Sequence, residues 1–275
     1  MPELSFRDLH QPGNPFILAN AWDKGSAQLM AALGAKAIAT TSAGHAFTLG
    51  RPDMGHVTRD EALSHARDLV SATPLPVSGD LENGYGHDSQ SVVQTIKAAA
   101  AAGLAGCCIE DTSLPGVEPY EFSHAVERVE AGVDAARAVD GDFVLTVRAD
   151  GWMNRQYDFA EAMRRAKAFE VVGADVIYIP LLKDMAQVAE VCRQIEAPVN
   201  VLCAGRMTAH KMKEFADAGV ARISLGSMLS RVTHKVIMDA SREMFEEGGF
   251  SLLQNAASGS EVDALLEKGS SSENG

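Results

Sequence analysis

The chain has 275 residues, 46% of them hydrophobic and 22% charged, which is enough apolar content for a large core and the balance of an ordinary globular protein. The 37 acidic side chains outnumber 24 basic ones, for a formal net charge of −13 with no basic stretch, so nucleic acid and anionic membrane are poor partners. No apolar run approaches the roughly 18 residues that a membrane span requires.

The opening segment, Met1-Pro-Glu-Leu-Ser-Phe-Arg-Asp, has neither the basic nor the apolar region of a secretory signal. Cys107, Cys108, Cys192 and Cys203 lie inside apolar runs without the spacing of a zinc or redox motif. The expectation is buried thiols in a reducing, cytoplasmic setting.

Eight short apolar runs read as strands covered on both faces: 16–19, 37–41, 76–79, 106–109, 143–147, 176–179, 198–202 and 221–225. Helical periodicity fills the intervals, most clearly over 59–71, 91–102, 125–138 and 159–172. Asp23, Thr58, Ser89, Asp184 and Thr208 are placed to cap helix starts. Gly103, Gly173 and Gly219 each stand just before a strand, as a helix-ending residue would. Strands recurring about every 29 residues predict eight βα units and a (β/α)8 TIM barrel.

A doubly wound sheet would carry a glycine-rich phosphate turn after its first strand. Asn20-Ala-Trp-Asp-Lys-Gly is not one. After the eighth strand come a long helix near 229–246, a short one near 261–267, and a low-complexity tail, 269–275, read as disordered. The barrel is assigned to residues 1–250 and a helical extension to 251–275.

Barrel chemistry sits at the C-terminal ends of the strands. The polar residues there are Thr41-Ser-Ala-Gly-His after strand two, Asp80-Leu-Glu-Asn-Gly-Tyr-Gly after strand three and Glu110-Asp-Thr after strand four. Arg148-Ala-Asp follows at strand five, and Asn200 lies in strand seven. On extended backbone Asp80 and Glu82 would project to one side, with Glu110 on the neighbouring strand. Three converging carboxylates repel one another unless a cation sits among them, and hard oxygen donors without His or Cys point to Mg²⁺ or Mn²⁺. Each acid taken alone could instead cap the helix that follows it. Arg148 could pair with the acidic rim or bind a substrate carboxylate through its two-pronged guanidinium. Gly226-Ser227 could receive a phosphate or simply allow close packing.

Asn20-Ala-Trp-Asp, Thr40-Thr-Ser-Ala-Gly, Leu49-Gly-Arg-Pro-Asp, Gly79-Asp-Leu-Glu-Asn-Gly-Tyr-Gly, Cys108-Ile-Glu-Asp and Val147-Arg-Ala-Asp together resemble the isocitrate lyase/phosphoenolpyruvate mutase superfamily from about residue 5 to 250. The resemblance implies the same barrel, Mg²⁺ dependence and a small 2-oxo or 2-hydroxy carboxylate as substrate. It also implies a homo-oligomer, a dimer of dimers that exchange their last helix. By that likeness Asp80 binds the metal directly, with Glu82 and Glu110 acting through water. Arg148 grips the substrate carboxylate or enolate, the backbone of Ser42, Ala43 and Gly44 cradles the carboxylate, and Asp53 lies over the site near a gating loop.

Three departures bear on the reaction. Isocitrate- and methylisocitrate-cleaving members carry a Lys-(Lys/Arg)-Cys-Gly-His loop after strand four, where this chain has Thr112-Ser-Leu-Pro-Gly-Val-Glu-Pro-Tyr. The mutases have a lysine and an asparagine near Gly116 and Glu118, and the strand-six glutamate of the lyases is replaced by Ile179-Pro-Leu-Leu. Tyr85, His45 and Glu118 are available as acids or bases, with no motif to place them. The expected activity is Mg²⁺-dependent carbon–carbon cleavage of a small 2-oxo or 2-hydroxy dicarboxylic acid, decarboxylation ahead of retro-aldol cleavage. Carbon–phosphorus chemistry and a non-catalytic 2-oxo-acid-binding barrel are the alternatives.

Overall fold

Eight parallel strands close into a barrel in the computed structural model, which describes residues 5–270. The strands are β1 Phe16–Asn20, β2 Ala37–Ala39, β3 Val77–Asp80, β4 Gly106–Glu110, β5 Val144–Arg148, β6 Val176–Tyr178, β7 Val199–Leu202 and β8 Arg222–Ser224. They run around the barrel in chain order, and β8 returns to β1 through the pairs Phe16↔Arg222 and Leu18↔Ser224. This is the expected (β/α)8 TIM barrel, with each strand within two residues of its sequence assignment.

The helices are α1 Lys24–Ala32, α2 Ser42–Thr48, α3 Arg59–Ala72, α4 Ser89–Ala101, α5 Phe122–Arg137, α6 Phe159–Val171, α7 Met185–Gln194, α8 Met212–Asp217, α9 Met228–Arg242 and α10 Gly259–Gly269. The helices around the barrel bury one apolar stripe against the strands, with Leu69, Ile96, Phe169, Val188 and Phe215 fully or almost fully covered. Each such side chain contributes about 1.5–3 kcal/mol when removed from water. The helix-to-strand turns use Gly103 (φ +86°), Gly173 (φ +97°) and Gly219 (φ +90°), a left-handed conformation that a Cβ disfavours. No helix among the described residues is long and apolar enough to cross a membrane.

Asp23, Thr58 and Asp184 cap their helices as expected, with Asp23 Oδ1 accepting from Ser26 N at 2.7 Å. Two other assignments shift. Asp88 caps α4, its carboxylate accepting from Ser91 N, so Ser89 is the first helical residue. Thr208 lies in a 3₁₀ turn, Gly205–Ala209, and its hydroxyl donates back to Gly205 O instead of capping α8.

Three further differences affect the site or its surroundings. Thr41, the last residue of the second expected strand run, is instead the cap of α2, its Oγ1 accepting from Gly44 N at 3.2 Å. The backbone is not extended through Asp80 and Glu82: β3 ends at Asp80 and Glu82 turns with φ +49°. The long C-terminal helix stops at Arg242, continues as a wide turn over Glu243–Glu247, and α10 then packs back on α1. Gly269 passes so close to α1 that a Cβ would lie 1.8 Å from Gln28 O. Gly269 closes α10 and Ser270 is its C-cap, whereas residues 271–275 of the expected disordered tail lie outside the described residues.

Candidate active site

Asp80, Glu110 and Arg148 are the last residues of β3, β4 and β5, three adjacent staves of the barrel. Parallel pairing sets Glu110 beside Arg148 and Arg148 beside Tyr178 of β6. Arg148 Nη1 therefore reaches Asp80 Oδ1 at 3.2 Å and Glu110 Oε1 at 3.0 Å. Its Nε and Nη2 donate to the two oxygens of Asp150 at 2.8 and 3.0 Å. Asp150 is fixed in turn by Asp111, whose Oδ1 accepts from Asp150 N at 2.7 Å, while Asp111 Oδ2 accepts from Tyr157 and Arg165. Each donor of the guanidinium fork is thus aimed by a partner that is itself held.

A cavity of about 120 Å³ opens above these strand ends. Asp53, Asp80, Glu82, Glu110 and Asp150 line it, and among its described lining residues Arg148 is the only cation. Five carboxylates around one guanidinium leave an excess of negative charge in a partly desolvated space, which disfavours full ionisation. Burial, reinforced by the charges of Asp80 and Asp53, pushes Glu82 up to about 7 against the hydrogen bond from Gly55 N. Burial also raises Asp53 and lifts Asp150 to about 6. Burial works against the Arg148 charge, yet Asp150, Glu110 and Asp80 hold its pKa well above the usual value. The guanidinium stays charged.

Among the described residues, no three His, Cys, Asp or Glu side chains are grouped closely enough to hold a metal ion. Asp80, Glu82 and Glu110, expected to converge on a cation, line one cavity without forming an assembled ligand set. The reason is local: Arg148 Nη1 touches both Asp80 and Glu110, Asp80 Oδ2 accepts from Ser42 N at 2.9 Å, and Glu82 Oε1 accepts from Gly55 N at 3.0 Å. In chemistry and charge the set still fits a hard divalent cation, since it offers surplus carboxylate oxygens and no His or Cys is among the described residues lining the cavity.

The other sequence candidates divide. Ser42, Ala43 and Asp53 line the cavity. Gly44 does not. Its N–H is bonded to Thr41 Oγ1, and a Cβ there would meet Thr41 Cγ2 at 2.5 Å, so it serves helix packing. Asn200 is fully buried lower in the barrel, donating to Ser224 Oγ at 2.9 Å and accepting from Arg222 Nε at 2.8 Å. Of the unplaced acids and bases, Tyr85 lies in a separate cleft. His45 stacks on His65 with centroids 3.9 Å apart, and Glu118 accepts from Ser113 Oγ in its own loop.

Sequence reasoning assigned no role to Asp150, Asp111 or Tyr178, nor to Met54, Leu114, Met153 and Leu202, which also line the cavity. Asp150 had a visible signal, standing two residues after Arg148 at a strand end. The apolar four had none.

The sequence profile of the phosphoenolpyruvate phosphomutase family matches residues 6–245. The chain is similar to 2-methylisocitrate lyase of Escherichia coli, 28% identical with 80% of this chain and 76% of that one covered. It is also similar to oxaloacetate decarboxylase of Pseudomonas syringae pv. tomato, 27% identical over 87% and 83% of the two chains. Among solved structures, a Burkholderia cenocepacia protein described as a lyase/mutase is 41% identical, with a TM-score of 0.90 and coverage of 94% and 93%.

Proposed function

The chain belongs to the phosphoenolpyruvate phosphomutase family, within the isocitrate lyase/phosphoenolpyruvate mutase superfamily, and from that premise we propose a divalent-metal-dependent lyase that breaks a carbon–carbon bond in a small 2-oxo or 2-hydroxy acid, with decarboxylation of an oxaloacetate-like diacid ahead of retro-aldol cleavage. The single observation that carries this reading is the cavity in which five carboxylates surround one oriented guanidinium. A hard cation such as Mg²⁺ or Mn²⁺, held by Asp80 with Glu82 and Glu110, would supply Lewis-acid polarisation of the substrate's carboxylate and carbonyl oxygens.

The chain's own residues supply the rest. Arg148, fixed by Asp150, presents positive charge to the oxygen on which charge develops as the bond to C3 breaks. In decarboxylation the C3–C4 electron pair moves into the enolate, carbon dioxide leaves, and a proton from water completes C3. That sequence needs no side-chain acid or base. Retro-aldol cleavage needs both; Tyr85, His45 and Glu118 do not line the cavity, whereas Asp53 and Glu82, both raised by burial, do. Decarboxylation stays ahead because it demands the fewest groups.

The test is pyruvate release from oxaloacetate and methylisocitrate, and formation of pyruvate or phosphoenolpyruvate from phosphonopyruvate, each with Mg²⁺ and with chelator and measured above the enzyme-free rate. Metal-dependent release from oxaloacetate alone is the expected result. Release from methylisocitrate would move the assignment to retro-aldol cleavage, and turnover of phosphonopyruvate to carbon–phosphorus chemistry. No turnover on any of the three would overturn the enzymatic reading and leave a ligand-binding barrel.

The proposal includes self-association, because α9 and the turns after it expose Val236 (60%), Ile237 (62%) and Phe245 (82%), the apolar side chains a subunit contact covers. Light scattering that returns only the monomer mass would reject it.

A further inference from the structure

We propose that Met54, Leu114, Met153 and Leu202 form a distal subsite that accepts an uncharged end of the substrate and rejects a second anchored carboxylate; this rests on the reading of the cavity as a 2-oxo-acid site. The four residues come from separate segments: the loops after α2, β4 and β5 and the end of β7. They are the large aliphatic side chains of the cavity wall, where the remaining charged groups are five carboxylates and Arg148.

Arg148 has no fork left for a distal anion. Its Nε and Nη2 are bound to Asp150, and Nη1 touches Asp80 and Glu110. The other guanidinium inside the barrel, Arg222, does not line this cavity and is turned to Asn200 and His10. A carboxylate two carbons beyond the carbonyl would therefore lose water against methionine and leucine side chains, with no cation but the already engaged Arg148 among the described lining residues. Burial of an unpaired charge is among the most costly contacts a site can impose. A methyl group in the same place gains by burial.

The β-carboxylate of a four-carbon 2-oxo diacid meets the same surroundings, but it can leave as neutral carbon dioxide. A γ-carboxylate cannot. The subsite thus separates a carboxylate that is lost in the reaction from one that would have to stay.

Calorimetric titration in the presence of Mg²⁺ tests this with oxalate, 2-oxopentanoate and 2-oxoglutarate, the last two matched in length and differing in the terminal group. Wild type should bind 2-oxopentanoate at least about tenfold more tightly than 2-oxoglutarate, the discrimination expected of a polar group left unpaired. Met153→Arg should remove or reverse that preference, read as the ratio of the two affinities, so that a general change in anion affinity, reported by oxalate, cancels. Leu202→Lys provides the same test from a second element if the first variant misfolds. Equal or tighter binding of 2-oxoglutarate by wild type would overturn the distal assignment, as would a preference that neither variant moves. Failure of wild type to bind oxalate would overturn the 2-oxo-acid reading itself, and the subsite with it.

Discussion

Asp150 holds Arg148 through two parallel hydrogen bonds, Nε to Oδ1 at 2.8 Å and Nη2 to Oδ2 at 3.0 Å. That geometry uses the planar fork of a guanidinium and cannot be reproduced by an ammonium. Arg148→Lys keeps the charge and loses the orientation. Turnover of the productive substrate should fall by about 10²–10³, the effect of losing one preorganised donor, with circular dichroism unchanged. A variant within about threefold of wild type would show that orientation at Arg148 does not matter.

Asp80 sits at the end of β3, where it accepts from Ser42 N and Arg148. Asp80→Ala removes the carboxylate assigned to direct metal contact. Calorimetric Mg²⁺ binding should disappear together with turnover. Retained activity in this variant would reject the metal assignment.

Gly44 distinguishes packing from ligand contact. An alanine Cβ would stand 2.5 Å from Thr41 Cγ2 and 3.1 Å from Trp22 Cβ, so Gly44→Ala should lower unfolding free energy by about 1–3 kcal/mol through overpacking. Oxalate affinity of the folded fraction should stay at the wild-type value. A loss of affinity without a loss of stability would restore Gly44 to the carboxylate cradle.

His65 predicts a pH effect on stability. Its Nε2 lies 3.0 Å from Trp22 O and its ring stacks on His45; burial, with the neighbouring His45, lowers its pKa from 6.5 to about 4. A histidine depressed in the folded state is held neutral, so unfolding takes up a proton between these two values. Its contribution is complete above pH 6.5 and disappears as pH falls towards 4, by at most about 3 kcal/mol. The melting temperature of His65→Phe, which retains a stacking ring, should fall less between pH 7 and pH 4.5 than that of wild type. Parallel curves for the two proteins would show that His65 does not carry the acid sensitivity.

Much of the site was legible because strands and helices leave local signatures. Asp80, Glu110 and Arg148 each follow a short apolar run, and such a run ending in a charged residue reads as a buried strand reaching a barrel rim. The helix start at Thr41 was less visible, since α2 has only seven residues and its cap is a single threonine hydroxyl. Asn200 read as a rim residue because it is polar and lies in a strand. Its side chain in fact satisfies Arg222 and Ser224 inside the barrel.

The sequence by itself determined the repeated βα unit, the closed parallel barrel and the acidic character of its mouth, because apolar periodicity and turn chemistry act over a few neighbouring residues. Only the tertiary structure decided what each polar group meets. Asp80 and Arg148 are 68 residues apart in the chain, and their contact exists because β3, β4 and β5 stand side by side, with Asp80 level with Cys108 and Glu110 level with Arg148. The same closure decided that Ser42 N turns to Asp80 and that Met54, Leu114, Met153 and Leu202 line a single cavity. Such pairings depend on register and strand order across the whole barrel, which no local stretch of sequence encodes.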